Sequence, residues 1–182
     1  MKILTYIQSQ NNKINNCSLE ALVGAQQIAK KNNGNLIIVT FNQDCLETLQ
    51  NYYAEKIIYS SSEKLKNFHP LIYTNKMEQI INAEKPDLII FGHTYEARDW
   101  VPRLSARLNI PFLSDCVGLS ENENMIRPFF QGKINVEITC PKTYIASFQS
   151  GVFKTENIKS GNAKSEELDN NQELIDESII LE

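Results

Sequence analysis

Five short runs of this chain are almost free of polar residues: Lys2–Gln8, Leu36–Phe41, Lys56–Tyr59, Asp87–Gly92 and Phe112–Val117. Val, Ile, Leu and Phe fill them, the pattern of strands covered on both faces. Segments of helical period lie between them, and this alternation predicts an α/β fold, a mostly parallel sheet flanked by helices. The first helix is predicted from Ser18 to about Asn32, with the Ser18 hydroxyl as cap and Leu19, Leu22, Val23 and Ala29 on the buried stripe. Gly34 is expected to end it with a positive φ. A short helix is predicted over Asp44–Tyr53. Another begins near Thr74, buries Met77, Ile80 and Ile81, and stops before Pro86.

The next helix reads as capped by Asp99, which puts Pro102 at the third helical position, where its missing N–H costs nothing. Trp100, Leu104 and Leu108 then face the sheet, with Arg103 and Arg107 in a second row. After Val117 come three extended runs, Met125–Phe130, Lys133–Thr139 and Thr143–Phe148, separated by Gln131-Gly132 and Cys140-Pro141; they are predicted as antiparallel additions to the sheet. From Lys154 the composition turns to Asn, Glu, Lys and Ser, which reads as a solvated linker and a mobile tether, with Ser178–Leu181 a strand-like exception.

Charge sharpens that division. The net charge is −4, and Lys154–Glu182 holds three lysines against eight acids, net −5, leaving +1 for everything before it. A nearly neutral body argues against a nucleic-acid footprint, which gathers Lys and Arg on one face. At 182 residues the chain fits one domain with a sizeable core. No apolar run is long enough to span a bilayer, and the opening strand leaves no room for a leader, so a cytoplasmic protein that is not membrane-embedded is expected. Cys17, Cys45, Cys116 and Cys140 form no CxxC pair, so neither zinc nor a redox dithiol is indicated.

Gln8–Asn16 lacks glycine, and no GxGxxG follows the first strand, so a phosphate cradle is not expected there. Walker, HExxH and GxSxG motifs are missing too. The best local candidate is His93 with Thr94, Tyr95, Glu96, Arg98 and Asp99, just past the fourth apolar run, at the carboxyl edge where open α/β sheets hold ligands. The plainer reading is that His93 and Thr94 build the turn while Arg98 and Asp99 support the helix start. Arg103 and Arg107 read as solvated or paired with carboxylates. Phe129 and Phe130, bracketed by Arg127 and Lys133, read as core packing of a hairpin, and His69 as exposed.

The run Phe91-Gly-His-Thr-Tyr-Glu-Ala-Arg98-Asp99-Trp-Val-Pro102-Arg103-Leu-Ser-Ala-Arg107-Leu-Asn-Ile-Pro111-Phe-Leu-Ser114-Asp115 resembles, in one register, a segment of the electron transfer flavoprotein alpha subunit's N-terminal domain. Ile126-Arg127-Pro128-Phe-Phe-Gln131-Gly132-Lys133 and Ser150-Gly151-Val-Phe153 are similar to two further segments of it. Ala97, Asn109 and Gln131 depart from the usual glycine, glycine and alanine. The resemblance covers about Met1–Phe153. It implies a Rossmann-like three-layer α/β/α sandwich of the adenine nucleotide alpha hydrolase-like kind at 1–153, and an acidic linker at 154–182 towards a FAD-binding domain. It further implies a non-enzymatic electron carrier. FAD would be held by the intact heterodimer and not by this segment, with AMP on the beta subunit. The implied partners are that beta subunit, dehydrogenases and a quinone reductase. The alternative is a stand-alone adenine-nucleotide-binding domain using a crevice at His93, Thr94, Arg98, Asp115 and Gly118.

Overall fold

The computed structural model of the protein describes residues 1–168. In chain order the elements are β1 (Lys2–Tyr6), the small hairpin β2 (Ser9–Gln10) and β3 (Lys13–Ile14), α1 (Asn16–Lys31), β4 (Asn35–Thr40), α2 (Leu46–Gln50) and β5 (Lys56–Tyr59). Then come α3 (Pro70–Glu84), β6 (Leu88–Gly92), α4 (Tyr95–Leu108), β7 (Phe112–Cys116) and β8 (Gly118–Leu119). The last are β9 (Met125–Phe129), β10 (Ile134–Ile138), β11 (Tyr144–Phe148) and β12 (Lys164–Glu167). Seven strands form a sheet in the order β12-β5-β4-β1-β6-β11-β7, with every pairing parallel.

Two-residue periodicity splits the apolar strand residues between two cores. Ile3, Leu36, Ile38, Ile57, Leu88, Ile90 and Ala146 face α1. Leu4, Ile37, Val39, Ile58, Ile89, Phe91 and Ile145 face α3 and α4, which supply Met77, Ile80, Trp100 and Leu104. The chain therefore forms the parallel sheet flanked by helices that the alternation predicts, and with it the three-layer α/β/α sandwich that the resemblance implies.

Several local expectations are corrected. Asn15, not Ser18, caps α1, by accepting the Cys17 N–H at 2.9 Å. The buried Ser18 hydroxyl instead accepts the Gln8 N–H. At the other end Asn33 takes the left-handed conformation and Gly34 returns its N–H to Ala29. α3 starts a turn early, at Pro70, because proline suits the first helical position and His69, half-buried, is its N-cap. The run predicted over Thr143–Phe148 is no antiparallel addition. As β11, buried at all five positions, it lies parallel between β6 and β7. The other two runs form, with β8, a separate antiparallel sheet in the order β10-β9-β8.

The largest correction concerns the expected linker. From Lys154 to Leu168 the chain is built into the domain: it packs alongside α1 against the core and then adds β12 to β5. Buried Gln26 on α1 grips this strap, its amide donating to the carbonyls of Tyr53 (3.0 Å) and Lys159 (3.1 Å) and accepting the Lys159 N–H (2.8 Å). Glu20 accepts the Gly151 N–H. Gly24 lets the Phe153 ring lie against α1, where an added Cβ would stand 2.6 Å from the ring. Lys56 bridges Glu84 and Glu166 at 2.9 Å each, and Ser61 bonds Glu167, so the acids on β12 have partners. The tether expectation weighed only large apolar side chains against ordering entropy; a backbone ladder and a satisfied buried amide supply what those side chains do not. The remainder of the expected tether, with Ser178–Leu181, lies outside the described residues.

Replacing Gln26 with Ala leaves the Lys159 N–H and the Tyr53 carbonyl without the amide that pairs them, while the Lys159 carbonyl keeps the Tyr53 N–H; a buried group so stranded costs about 1–3 kcal/mol. The expected result is a destabilised protein in which trypsin reaches Lys154 and Lys159 under conditions where the unaltered chain is resistant there. Equal cleavage of both at those sites would contradict the clasp.

Candidate functional site

The carboxyl ends of β6, β11 and β7 converge on one polar cluster. β6 ends at Gly92, so His93 projects from the sheet edge, and its N–H donates to the Phe148 carbonyl on β11 at 2.7 Å. The imidazole Nδ1 lies 2.9 Å from Ser147 Oγ, and Nε2 lies 3.4 Å from Asp115 Oδ1. Asp115 adopts φ 64°, a conformation Asp tolerates better than most residues. Its N–H donates to Ser147 Oγ at 3.2 Å, and its carboxylate accepts from Gln149 Nε2 at 2.8 Å. With Asp115 donating to Ser147, the hydroxyl proton is free to point at Nδ1, which places the imidazole proton on Nε2 facing Asp115.

A Ser, a His and an Asp in contact invite comparison with a nucleophilic triad, but the geometry assigns them another task. Ser147 is 0% exposed and its oxygen already receives a backbone donor. A nucleophile must reach substrate; this hydroxyl ties two loops together. Burial pushes the His93 imidazole below its usual value, the Asp115 carboxylate pulls the other way, and Arg98 and Arg127 add to the lowering. A neutral ring suits a hydrogen-bonded spacer between β6 and β7.

Of the residues anticipated for a crevice, His93 and Asp115 meet, and Thr94 stands beside them as the N-cap of α4, accepting the Ala97 N–H at 3.1 Å. This corrects the assignment of the cap to Asp99. The helix begins a turn earlier, and Pro102 lies inside it. Arg98 is exposed and stacks over Tyr95 at 5.5 Å. Arg107 pairs with Glu78 at 2.8 Å. Gly118 is elsewhere, on β8, bordering a groove with Val152 and Phe153. Phe129 and Phe130 are no hairpin core: they are 40% and 75% exposed, and Arg127 stacks over Phe129 at 5.6 Å while donating to Ser114. Ser147 and Gln149 escaped the sequence reading, since a serine inside a strand and a glutamine after it carry no motif.

The position between β1 and α1, where a dinucleotide's phosphates would sit, is taken up by protein. The hairpin of β2 and β3 fills the connection, and the first turn of α1 lies on Gly92, where an added Cβ would be 2.8 Å from the Cys17 backbone. The Cys17 thiol reaches the Phe148 carbonyl at 3.4 Å. These residues do not fit a flavin dinucleotide. A cavity of about 830 Å³ lies against α1, bounded by Gln26, Lys30, Tyr53, Asn157 and Lys159.

Residues 3–173 match the electron transfer flavoprotein domain. The chain belongs to that family. It is 26% identical over 176 residues to Protein FixB of Clostridium saccharobutylicum, which covers 92% of this chain and 53% of that protein. It is 27% identical over 161 residues to the electron transfer flavoprotein subunit alpha of Thermoanaerobacterium thermosaccharolyticum, covering 84% and 49%. With the subunit alpha of Bacillus subtilis the identity is 29% over 136 residues, covering 72% and 42%. The chain thus spans about half the length of these relatives. Among the described residues no helix is long and apolar enough to cross a membrane.

Next to the cluster, Glu96 in the first turn of α4 points into a ring of aromatics, 3.5 Å from the Tyr6 hydroxyl and close to Tyr73. Burial raises its carboxyl from 4.5 to about 7, with the Tyr6 hydroxyl opposing.

Two outcomes follow for these side chains. Thr94→Ala is expected to cost about 0.5–2 kcal/mol through loss of the cap, whereas Asp99→Ala on the exposed side of α4 stays within about 0.5 kcal/mol; denaturant melts compare them. For Glu96, the folded value lies above the unfolded one, so its stabilising contribution is complete below 4.5 and is lost as pH rises through about 7. The stability of the unaltered chain should therefore fall relative to Glu96→Gln across that window, and parallel pH profiles would contradict the burial argument.

Proposed function

We propose that this chain is the N-terminal scaffold and subunit-docking domain of an electron transfer flavoprotein alpha subunit. In that role the complete complex carries electrons on FAD from dehydrogenases to a respiratory acceptor such as a quinone reductase. This domain supplies rigid support and a surface for the beta subunit, which holds AMP. The observation that carries the reading is the family match across nearly the whole chain, combined with relatives named as alpha subunits that are about twice as long. The flavin is assigned to the part of those relatives that this chain does not span. Consistent with that assignment, the usual phosphate position is filled by the β2–β3 hairpin and the α1 turn on Gly92.

No step of the redox chemistry is assigned to residues of this chain. Their part is mechanical. The parallel sheet, covered on both faces, holds the loops at its carboxyl edge fixed, with His93, Asp115 and Ser147 locking β6, β7 and β11 together. The same reading places the domain in the cytoplasm.

The reading is tested by co-expressing the chain with an electron transfer flavoprotein beta subunit and separating the products by gel filtration with absorbance detection. The expected outcome is a one-to-one complex, while the chain by itself is colourless. A stoichiometric yellow flavin band on the isolated chain would overturn the placement of FAD, and failure of the two proteins to associate would overturn the docking role.

A further inference from the structure

An open sheet edge is a row of unpaired N–H and C=O groups, and proteins that avoid edge pairing blunt it with charge. At the outer edge of the seven-stranded sheet this is done: three of the four exposed residues of β12, Lys164, Glu166 and Glu167, are charged. The small sheet presents the opposite picture. Its outer strand, β10, reads Ile134, Asn135, Val136, Glu137, Ile138, with 51% exposure at Ile134 and 39% at Val136. Ile134 stands opposite Phe129 on β9, so these two join Val136 in one exposed apolar surface, extended by Phe130 at the hairpin tip.

The residues around this edge complement themselves. An antiparallel pairing of two β10 strands about a two-fold axis at Asn135 sets Ile134 of each copy against Val136 of the other. It also sets Lys133 of each copy, in the turn immediately before β10, against Glu137 of the other. Side chains of equal parity share a face, so four aliphatic residues merge on one face while two pairs of opposite charge close the other, the arrangement that favours cross-strand pairs. Glu137 is already steadied by Asn124, which donates to it at 2.8 Å. Moving the axis to Val136 would instead put Glu137 against Asn135 and leave Lys133 facing Thr139.

We propose that β10 is an interaction surface for a second copy of this chain, joined edge to edge through Lys133–Glu137 and Ile134–Val136 pairs. The pairing extends the small sheet from three strands to six across the axis and buries the aliphatic surface. It goes beyond docking to a beta subunit and concerns the chain by itself.

Sedimentation velocity of the full chain over a concentration series tests it, with Lys133→Glu, Glu137→Lys and the double exchange measured alongside. All the altered positions are exposed, and circular dichroism with the emission of buried Trp100 verifies that each variant keeps its fold. The unaltered chain is expected to form a concentration-dependent dimer. Each single reversal puts like charges opposite each other twice and weakens association by roughly tenfold; the double exchange restores it. A chain that stays monomeric throughout, or a double exchange no better than either single one, overturns the proposal.

Discussion

The whole domain depends on covering both faces of a seven-stranded parallel sheet. A parallel sheet cannot leave a face in water, because its strands are apolar on both sides. One face is served by two long helices, α3 and α4, whose Met77, Ile80, Trp100 and Leu104 reach into a cluster rich in rings. Within that cluster Trp100 meets Tyr6 at 5.4 Å and Phe91 at 5.3 Å, both edge-on. The other face has a single long helix. α1 alone is too narrow for the task, and the strap of residues 150–163 completes the cover with Val152, Phe153, Ile158 and Ala163. The buried Glu20 and Gln26 on α1 are the means of attachment, which explains why a helix against a hydrophobic core carries polar residues on its covered side.

This division of labour bears on function. The strap leads the chain from the middle of the sheet to its far edge, where β12 pairs with β5. Residues 164–167 are thus held in the sheet as a ladder strand, and the stretch from β11 to Leu168 is no solvated linker. A scaffold that mounts a neighbouring domain gains from such an attachment, since position is transmitted through ladder hydrogen bonds and through ion pairs such as Lys56–Glu166. The carboxyl edge is held with equal care. His93 bonds to β11 by backbone and side chain, and Asp115 is fixed from both Ser147 and Gln149.

Much of this was legible in the residues, and the misses have physical causes. β5 was bounded at the same residues by its apolar run and by its ladder, and β1, β4, β6 and β7 within two, because burial on both faces leaves an unbroken signal. β11 carries the same signal, Tyr-Ile-Ala-Ser-Phe, yet its place after two hairpin strands suggested an antiparallel partner. The sequence pattern leaves the start of α4 open, because Thr94 and Asp99 are both good caps, and the helix takes the first. The strap was missed altogether. Its stability comes from one glutamine more than a hundred residues away and from backbone pairing, neither of which composition reveals. In the candidate site, His93 and Asp115 were found from sheet topology, while Ser147 and Gln149 acquire meaning only through the three-strand junction.

The strap and β12 are part of the folded body, which runs through Leu168. Amide hydrogen exchange of the unaltered full chain measures this directly. The account predicts that the N–H groups of Lys159, Gly161, Ala163 and Leu168, which donate to Gln26, Asn51, Gln50 and Tyr59, exchange as slowly as those in the neighbouring β5. Exchange of these four at the rate of an unstructured peptide, with the central strands still protected, would contradict it.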